Sequence, residues 1–252
     1  QKKNKTHKYK QDRARACRAA PMGNRASARV AAPLAKTEGL ATAPTWADAI
    51  AFVGEALGAQ KKAGKLAAIG SPWMSNEEGL AFAHLVSKTL KSSWMDIKDD
   101  VITGYPADDL LHTADHNPNR AGVVAAGVEP GKKDGKDLNA ILAACEAGEV
   151  EVLLVWGAGL AHHAETEEAL ARAMAPVPLI VQITDSVDAL SALSHVILPI
   201  RNLFERDGTF TNCDGHHSRF KKALRPHGDA RDGFALLSEL TEAAGGKAVA
   251  KD

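Results

Sequence analysis

Few residues in this sequence are placed for metal or nucleophile chemistry. Cys17, Cys145 and Cys213 lie far apart, are odd in number, and show no CxxC or CxxCxxxC spacing. An iron–sulfur cluster or structural zinc site gathers its thiolates through such spacings. Three reduced thiols in a reducing compartment are therefore expected, with no metal centre held by this chain. His162-His163 and His216-His217 are the remaining ligand candidates, and Glu165 and Asp214 are the carboxylates nearest to them. Adjacent side chains diverge on a helix or a strand, so neither pair chelates unaided. Solvent-exposed loop histidines are the default. No serine or cysteine sits in a recognisable nucleophile elbow or beside a base, which leaves nucleophilic catalysis without support.

Gly157-Ala158-Gly159 follows an apolar run, the arrangement in which glycine lets backbone N–H groups approach a phosphate. A third glycine at the dinucleotide-binding spacing would fall at His162, so that fingerprint is incomplete. A tight strand-to-helix turn accounts for the same residues, and both readings stay open. The second polar stretch follows Val196-Ile-Leu-Pro199 and holds Glu205, Asp207, Gly208, Thr209, Asn212 and Gly215. A loop with so many hydrogen-bonding groups must fold onto itself or clasp something polar. The Asn212 amide both donates and accepts, which suits it to bind loop backbone on two sides. Glu205 and Asp207 offer acceptors near Arg206, Arg219 and Arg231, so at least one buried or half-buried ion pair is expected.

The elements that must position these groups alternate between two periods. Thr45 is a good N-cap for a helix in which Trp46, Ile50 and Val53 share a face, with Asp48 in the first turn. Leu66 to Ile69 predicts a buried strand ending at Gly70-Ser-Pro. Ser75 and Glu78 form a capping box opening a helix in which Leu80, His84 and Leu85 follow at helical spacing. Residues 92–136 are dense in turn formers and predict loops, with one short helix over Ala107 to Ala114. Further helices are expected at Leu138 to Ala147, Thr166 to Met174 and Ala189 to Leu193. Further strands are expected at Val150 to Trp156, Leu179 to Ile183 and His195 to Leu198. Short apolar runs alternating with helices predict an α/β fold, a mostly parallel sheet with helices on both faces. Ligands of such sheets sit beyond the carboxyl ends of the strands, so the loops at Gly70, Gly157 and Asp185 are candidate binding edges.

The chain has 252 residues, enough to bury a core, with 45% apolar and 25% charged residues. Its 31 basic and 31 acidic residues balance, so no global field points to nucleic acid or to a membrane surface. The balance is uneven: ten basic residues precede Leu34, from Lys2 to Arg29, against the single acid Asp12. Residues 1–32 are therefore expected to form an extended basic arm, ordered against a partner or disordered, with a targeting remnant as the competing reading. Tyr9 is its only aromatic residue, which gives base stacking little support. The main domain is expected over 33–243, with a flexible tail over 244–252. No apolar run approaches the roughly 20 residues of a membrane helix. Gln1 in place of Met suggests a processed or incompletely represented start, and no secretory signal is expected.

Glu205-Arg-Asp-Gly-Thr-Phe-Thr-Asn212-Cys-Asp-Gly215 after Leu198-Pro199, followed by Arg225-Pro-His-Gly-Asp-Ala-Arg231, resembles the molybdopterin oxidoreductase family. That family follows a strand ending in Leu-Pro with a Glu-x-x-Gly-Thr-Phe-x-Asn-x-Glu-Gly-Arg loop and a Pro-x-Gly-x-Ala-Arg segment. Thr45-Trp-Ala-Asp-Ala-Ile50 is similar to the family's entry into its large domain. Ser71 and Asn76-Glu77-Glu78 are similar to its first strand-to-helix connection. Asp108 to Gly122 and Val152-Leu-Leu-Val-Trp-Gly157 look most like the large iron–sulfur subunit of respiratory complex I. Active members carry a cysteine-rich cluster domain and a long middle region, neither of which is found here, and Gly215-His216-His217-Ser218 replaces their Gly-Arg-x-Gln.

The resemblance thus implies a shortened, cofactor-free structural subunit of a complex I-like NADH dehydrogenase. Iron–sulfur clusters and FMN are expected in partner chains, with neither membrane insertion nor nucleic acid. Its place would be peripheral, on the cytoplasmic face of a bacterial inner membrane or the mitochondrial matrix side. The competing expectation is a pterin- or nucleotide-binding oxidoreductase domain. Its ligand would lie in a cleft drawing on Gly157, Gly159, Asp185, Gly208, Thr209, Asn212 and Gly215.

Overall fold

The computed structural model describes residues 29–62, 65–99, 107–108 and 113–250. The expected basic arm lies, up to residue 28, outside the described residues. Its last residues are built into the domain: Val30 is buried, and its N–H donates to the Asp185 carbonyl.

A six-stranded sheet organises the domain, in the order β1-β6-β5-β4-β2-β3. Its members are β1 (Leu34–Ala35), β2 (Leu66–Gly70), β3 (Met95–Ile97), β4 (Val152–Trp156), β5 (Leu179–Thr184) and β6 (Val196–Pro199). Only β1 runs antiparallel, against β6. Every residue of β2, β4, β5 and β6 is buried, which is why these strands read as continuous apolar runs rather than as alternating ones. Side chains still alternate between faces. Leu66, Ala68, Leu154 and Val181 join one core cluster, while Ala67, Ile69, Leu153 and Ile180 join the other.

Helices cover both faces. On the first lie α1 (Trp46–Ala59), α2 (Asn76–Ala83, continuing as a π-helix over His84–Thr89) and the long carboxyl-terminal helix Gly233–Ala243. On the second, α4 (Leu138–Glu146), α5 (Glu167–Met174) and α6 (Ala189–Leu193) supply Ile141, Leu170 and Leu190. The expected caps form: the Thr45 hydroxyl accepts from the Asp48 N–H, and Ser75 and Glu78 make a reciprocal capping box. The buried stripe of α2 is Ala81, Phe82 and Leu85, whereas Leu80 is 46% exposed.

Residues 92–136 depart from the expected loops. Met95–Ile97 form β3, paired in parallel with β2, and Arg120–Ala125 form α3. Asp96 breaks the apolar run of β3, so periodicity does not reveal a strand that exists because β2 offers it an edge. The Asp96 carboxylate accepts from the backbone N–H groups of Ile97 and Leu138. Most of the helix expected over Ala107 to Ala114 lies outside the described residues, and Ala107, Asp108 and Thr113 are not helical.

The polar stretch after β6 is likewise more than a loop. It forms an antiparallel hairpin of β7 (Gly208–Thr211) and β8 (His217–Phe220), in which Gly208 opposes Phe220. A Cβ on Gly208 would lie 2.7 Å from the Phe220 ring and 2.9 Å from the Ser75 Cβ, so glycine is required there by close packing. The carboxyl-terminal helix Gly233–Ala243 is α7. Beyond it the chain stays attached. Ala244 is buried, the Gly246 N–H donates to the Thr241 carbonyl, and His84 Nε2 is 2.9 Å from the Lys247 carbonyl. The boundary expected at 243 therefore falls inside packed chain.

Candidate functional site

The order of β2, β3 and β4 creates the site. After β2 the chain crosses to β3 on one side, then returns to place β4 on the other. The crossovers leave in opposite directions, which opens a crevice at the carboxyl ends of β2 and β4. A cleft of about 710 Å³ lies along this edge. Ser71 and Trp73 after β2, Gly157 to Gly159 after β4, Asp185 and Ser186 after β5, and Ile200 to Leu203 after β6 line it.

Of the residues expected at a ligand site, Gly157, Gly159 and Asp185 line this cleft. Gly208, Thr209, Asn212 and Gly215 do not. The hairpin carries them away toward α2 and α3, so a cleft shared by Gly157 and Asn212 is not formed. The Thr209 hydroxyl donates to Glu77 at 2.8 Å, and Asn76 Nδ2 donates to the hydroxyls of Thr209 and Thr211. Asn212 acts within its own turn: its Oδ1 accepts from the N–H groups of Asp214 (3.0 Å) and His216 (2.9 Å).

The glycine turn itself is closed by the protein. Gly157 and Gly159 have φ of 74° and 93°, a left-handed backbone that suits glycine. The Gly157 N–H donates to the Ile183 carbonyl at 2.6 Å, and the Gly159 N–H donates to Asp188 Oδ2 at 2.7 Å. Asp188 also accepts from Gln182 and caps α6, where Asp188 and Ser191 form a capping box. Two of the donors that a phosphate would use are thus already taken, by a carboxylate and a carbonyl. Motif reasoning misses Asp188, although the Asp-x-x-Ser spacing ahead of an apolar run marks it as a cap.

Two buried ion pairs adjoin the cleft, one of them through its lining residue Arg206. Arg29 grips Glu205 bidentately, both N–H···O distances being 2.8 Å, with side chains 7% and 4% exposed. Arg206 pairs with Glu78, with side chains 5% and 3% exposed, and also donates to the Trp73 carbonyl at 2.8 Å. The expected buried pair exists, with other partners than expected. Glu205 meets Arg29 rather than Arg206, Arg219 or Arg231, and Asp207 accepts from the Lys222 N–H. Chain separation of 176 residues between Arg29 and Glu205 is beyond any local pattern.

The carboxyls titrate accordingly. Burial works to raise Glu205, but its hydrogen bonds and the charge of Arg29 outweigh it and hold the group below the ordinary value. Burial raises Asp185 and Glu78 despite nearby arginines. Burial pushes the Cys145 thiol up to about 12, which makes it a core residue rather than a nucleophile. His163 Nε2 lies 2.8 Å from the Asp99 carbonyl, and burial lowers its pKa. His162 and Glu165 reach the cleft rim, and no group of three or more potential ligands gathers among the described residues.

The cleft carries Asp185, Asp188, Glu165 and Glu167 against Arg201 and Arg206. Since Arg206 is already neutralised by Glu78, the lining is acidic. A pterin dinucleotide brings a pyrophosphate, which this acidic lining and the occupied glycine turn do not fit. Two buried nitrogens, Nε of Arg201 and of Arg206, lack a hydrogen-bond partner among the described residues. No helix among the described residues is long and apolar enough to cross a membrane.

Known proteins resemble this chain over part of its length. A family model described as molybdopterin oxidoreductase matches residues 94–243, more than half of the chain. The alpha subunit of an NADPH-Fe(3+) oxidoreductase of Geobacter sulfurreducens is 31% identical over 106 residues, 42% of this chain and 13% of that protein. One subunit of an NADH-quinone oxidoreductase of Rhizobium meliloti is 31% identical over 111 residues, 44% of this chain and 13% of that one. The chain therefore spans a small part of the length of these relatives. Among solved structures, acetylene hydratase from Pelobacter acetylenicus aligns over 42% of this chain and 15% of its own, with a TM-score of 0.38 and 18% identity.

Proposed function

The chain belongs to the molybdopterin oxidoreductase family, and we propose that it acts as a structural body without a cofactor of its own. Its place would be in a complex I-like NADH dehydrogenase. The observation that carries this reading is the Gly159 N–H donated to Asp188. In a working phosphate turn that donor faces the ligand, whereas here a carboxylate holds it and adds negative charge. The buried pairs Arg29–Glu205 and Arg206–Glu78 serve the same end, joining the amino-terminal segment, α2 and the segment after β6 into one rigid edge. Flavin and iron–sulfur clusters would reside in partner subunits. The likeness to an NADH-quinone oxidoreductase subunit supports this assignment. The subunit would sit peripherally, on the cytoplasmic face of a bacterial inner membrane or the mitochondrial matrix side.

The second reading is a nucleotide or pterin in the cleft beside Gly157. The partnerless Nε atoms of Arg201 and Arg206 favour it. Elemental analysis and fluorimetric pterin assay of the chain, purified with its partners, separate the two. We expect neither molybdenum nor pterin in stoichiometric amount. About one molybdenum or one pterin per chain would overturn the structural reading and install the second.

A further inference from the structure

Among the described residues the β7–β8 hairpin presents an open backbone edge. Thr209 and Thr211 donate their N–H groups away from β8, to the side chains of Glu77 and Asn119. In an antiparallel pair, residues opposite such positions turn their own backbone groups outward. Those residues are Arg219, opposite Thr209, and His217, opposite Thr211. Neither N–H donates to a backbone group outside the strand ladder among the described residues, and both residues are exposed.

The edge is also cationic. Arg219, Lys221, Lys222 and Arg225 are all exposed, and no acidic residue lies between Asp214 and Asp229. None of the four makes an ion pair among the described residues. Leu224, in the middle of this strap, is the most exposed large apolar residue of those described, at 57%. Its position is not accidental slack, because the Ala223 and Leu224 N–H groups both donate to the Phe204 carbonyl and hold the strap in place.

We propose that this edge docks an extended acidic segment of a partner protein by strand addition, with carboxylates against Arg219 to Arg225 and an apolar side chain against Leu224. Unpaired ladder groups with alternating side-chain contacts are what strand addition uses. Other occupants fit less well. A second copy would bring like charges together, the device by which edge cations keep strands apart. A lipid surface would need more apolar residues than Leu224. Single-stranded nucleic acid would need free aromatic faces, while Phe210 and Phe220 pack on each other at 4.8 Å. The proposal names a partner surface distinct from the cleft and rests on the assembly reading only in requiring a partner chain.

The test is amide hydrogen exchange on the full chain with a short peptide alternating glutamate and valine. A same-charge peptide interrupted by prolines, and mixed phosphatidylcholine–phosphatidylserine vesicles, serve as the other arms. We expect the alternating peptide to slow exchange at His217 and Arg219, and the other two to leave it unchanged. The exposed charge reversal R219E/K221E/K222E/R225E should weaken peptide binding at least about tenfold while leaving the melting temperature in place. Equal binding of both peptides, protection by vesicles alone, or no protection at all would each overturn strand addition. Because the chain is tested alone, such a failure is separate from a failure to co-purify with oxidoreductase subunits, which would instead sink the assembly reading.

Discussion

Substituting Arg29 tests whether the segment entering the domain is a structural clamp. Its guanidinium makes two charge-assisted bonds to Glu205 at 2.8 Å and a third, from Nε to the Asp185 carbonyl, at 2.9 Å. Arg29→Met would leave the Glu205 carboxylate in a site where it is 4% exposed, with the Asn202 N–H at 3.1 Å as one remaining donor. Removing one member of a buried pair costs about 3–5 kcal/mol, mostly from the stranded charge. For a chain of this size each kcal/mol shifts the melting temperature by about 2–4 °C, so a fall of roughly 6–20 °C is expected. Glu205→Leu should cost a similar amount. The double variant Arg29→Met/Glu205→Leu should recover most of it, because the desolvation of both charges disappears together. Thermal and urea unfolding of the wild type, both singles and the double close the cycle. Single losses under about 1 kcal/mol, the range of an exposed pair, would refute the clamp.

Other consequences follow from particular contacts. The folded Glu205 titrates below its ordinary 4.5, so its contribution is full above that pH and is lost as pH falls through the lowered folded value. The stability difference between wild type and Glu205→Gln should therefore shrink between pH 4.5 and strongly acidic solution, read by unfolding at several pH values. Gly54→Ala should destabilise by about 1–3 kcal/mol, because its Cβ would lie 2.3 Å from that of Ala243 where α1 meets α7; an unchanged denaturant midpoint would show the helices can part freely. Asn212→Ala removes the acceptor of two turn N–H groups and should cost about 0.5–1.5 kcal/mol, without altering any ligand content of the cleft. Cys145, its thiol raised to about 12, should resist a thiol reagent at neutral pH and react once the chain is unfolded.

Local signals carry far into this fold because capping and strand burial are decided by near neighbours. Thr45, Ser75 with Glu78, and the runs at Leu66, Val152, Leu179 and Val196 each state their element within a few residues. The motif from Glu205 to Gly215 resembles the family's through its order of residues, and it lies within the stretch that the family model matches. What that order does not contain is direction in space. The hairpin turns Asn212 and Gly215 away from the cleft, so residues that read as one ligand loop form part of a separate edge. β3 is hidden because Asp96 interrupts it and only the neighbouring β2 makes it a strand. Arg29 and Glu205, 176 residues apart, can be paired only once β5 and the turn after β6 have brought them together. The state of the glycine turn is a tertiary matter too. Gly157-Ala158-Gly159 reads the same whatever its N–H groups face, and only the packed chain places Asp188 2.7 Å from the Gly159 nitrogen. A sequence specifies which groups can donate and accept, and the packed chain determines which of them meet.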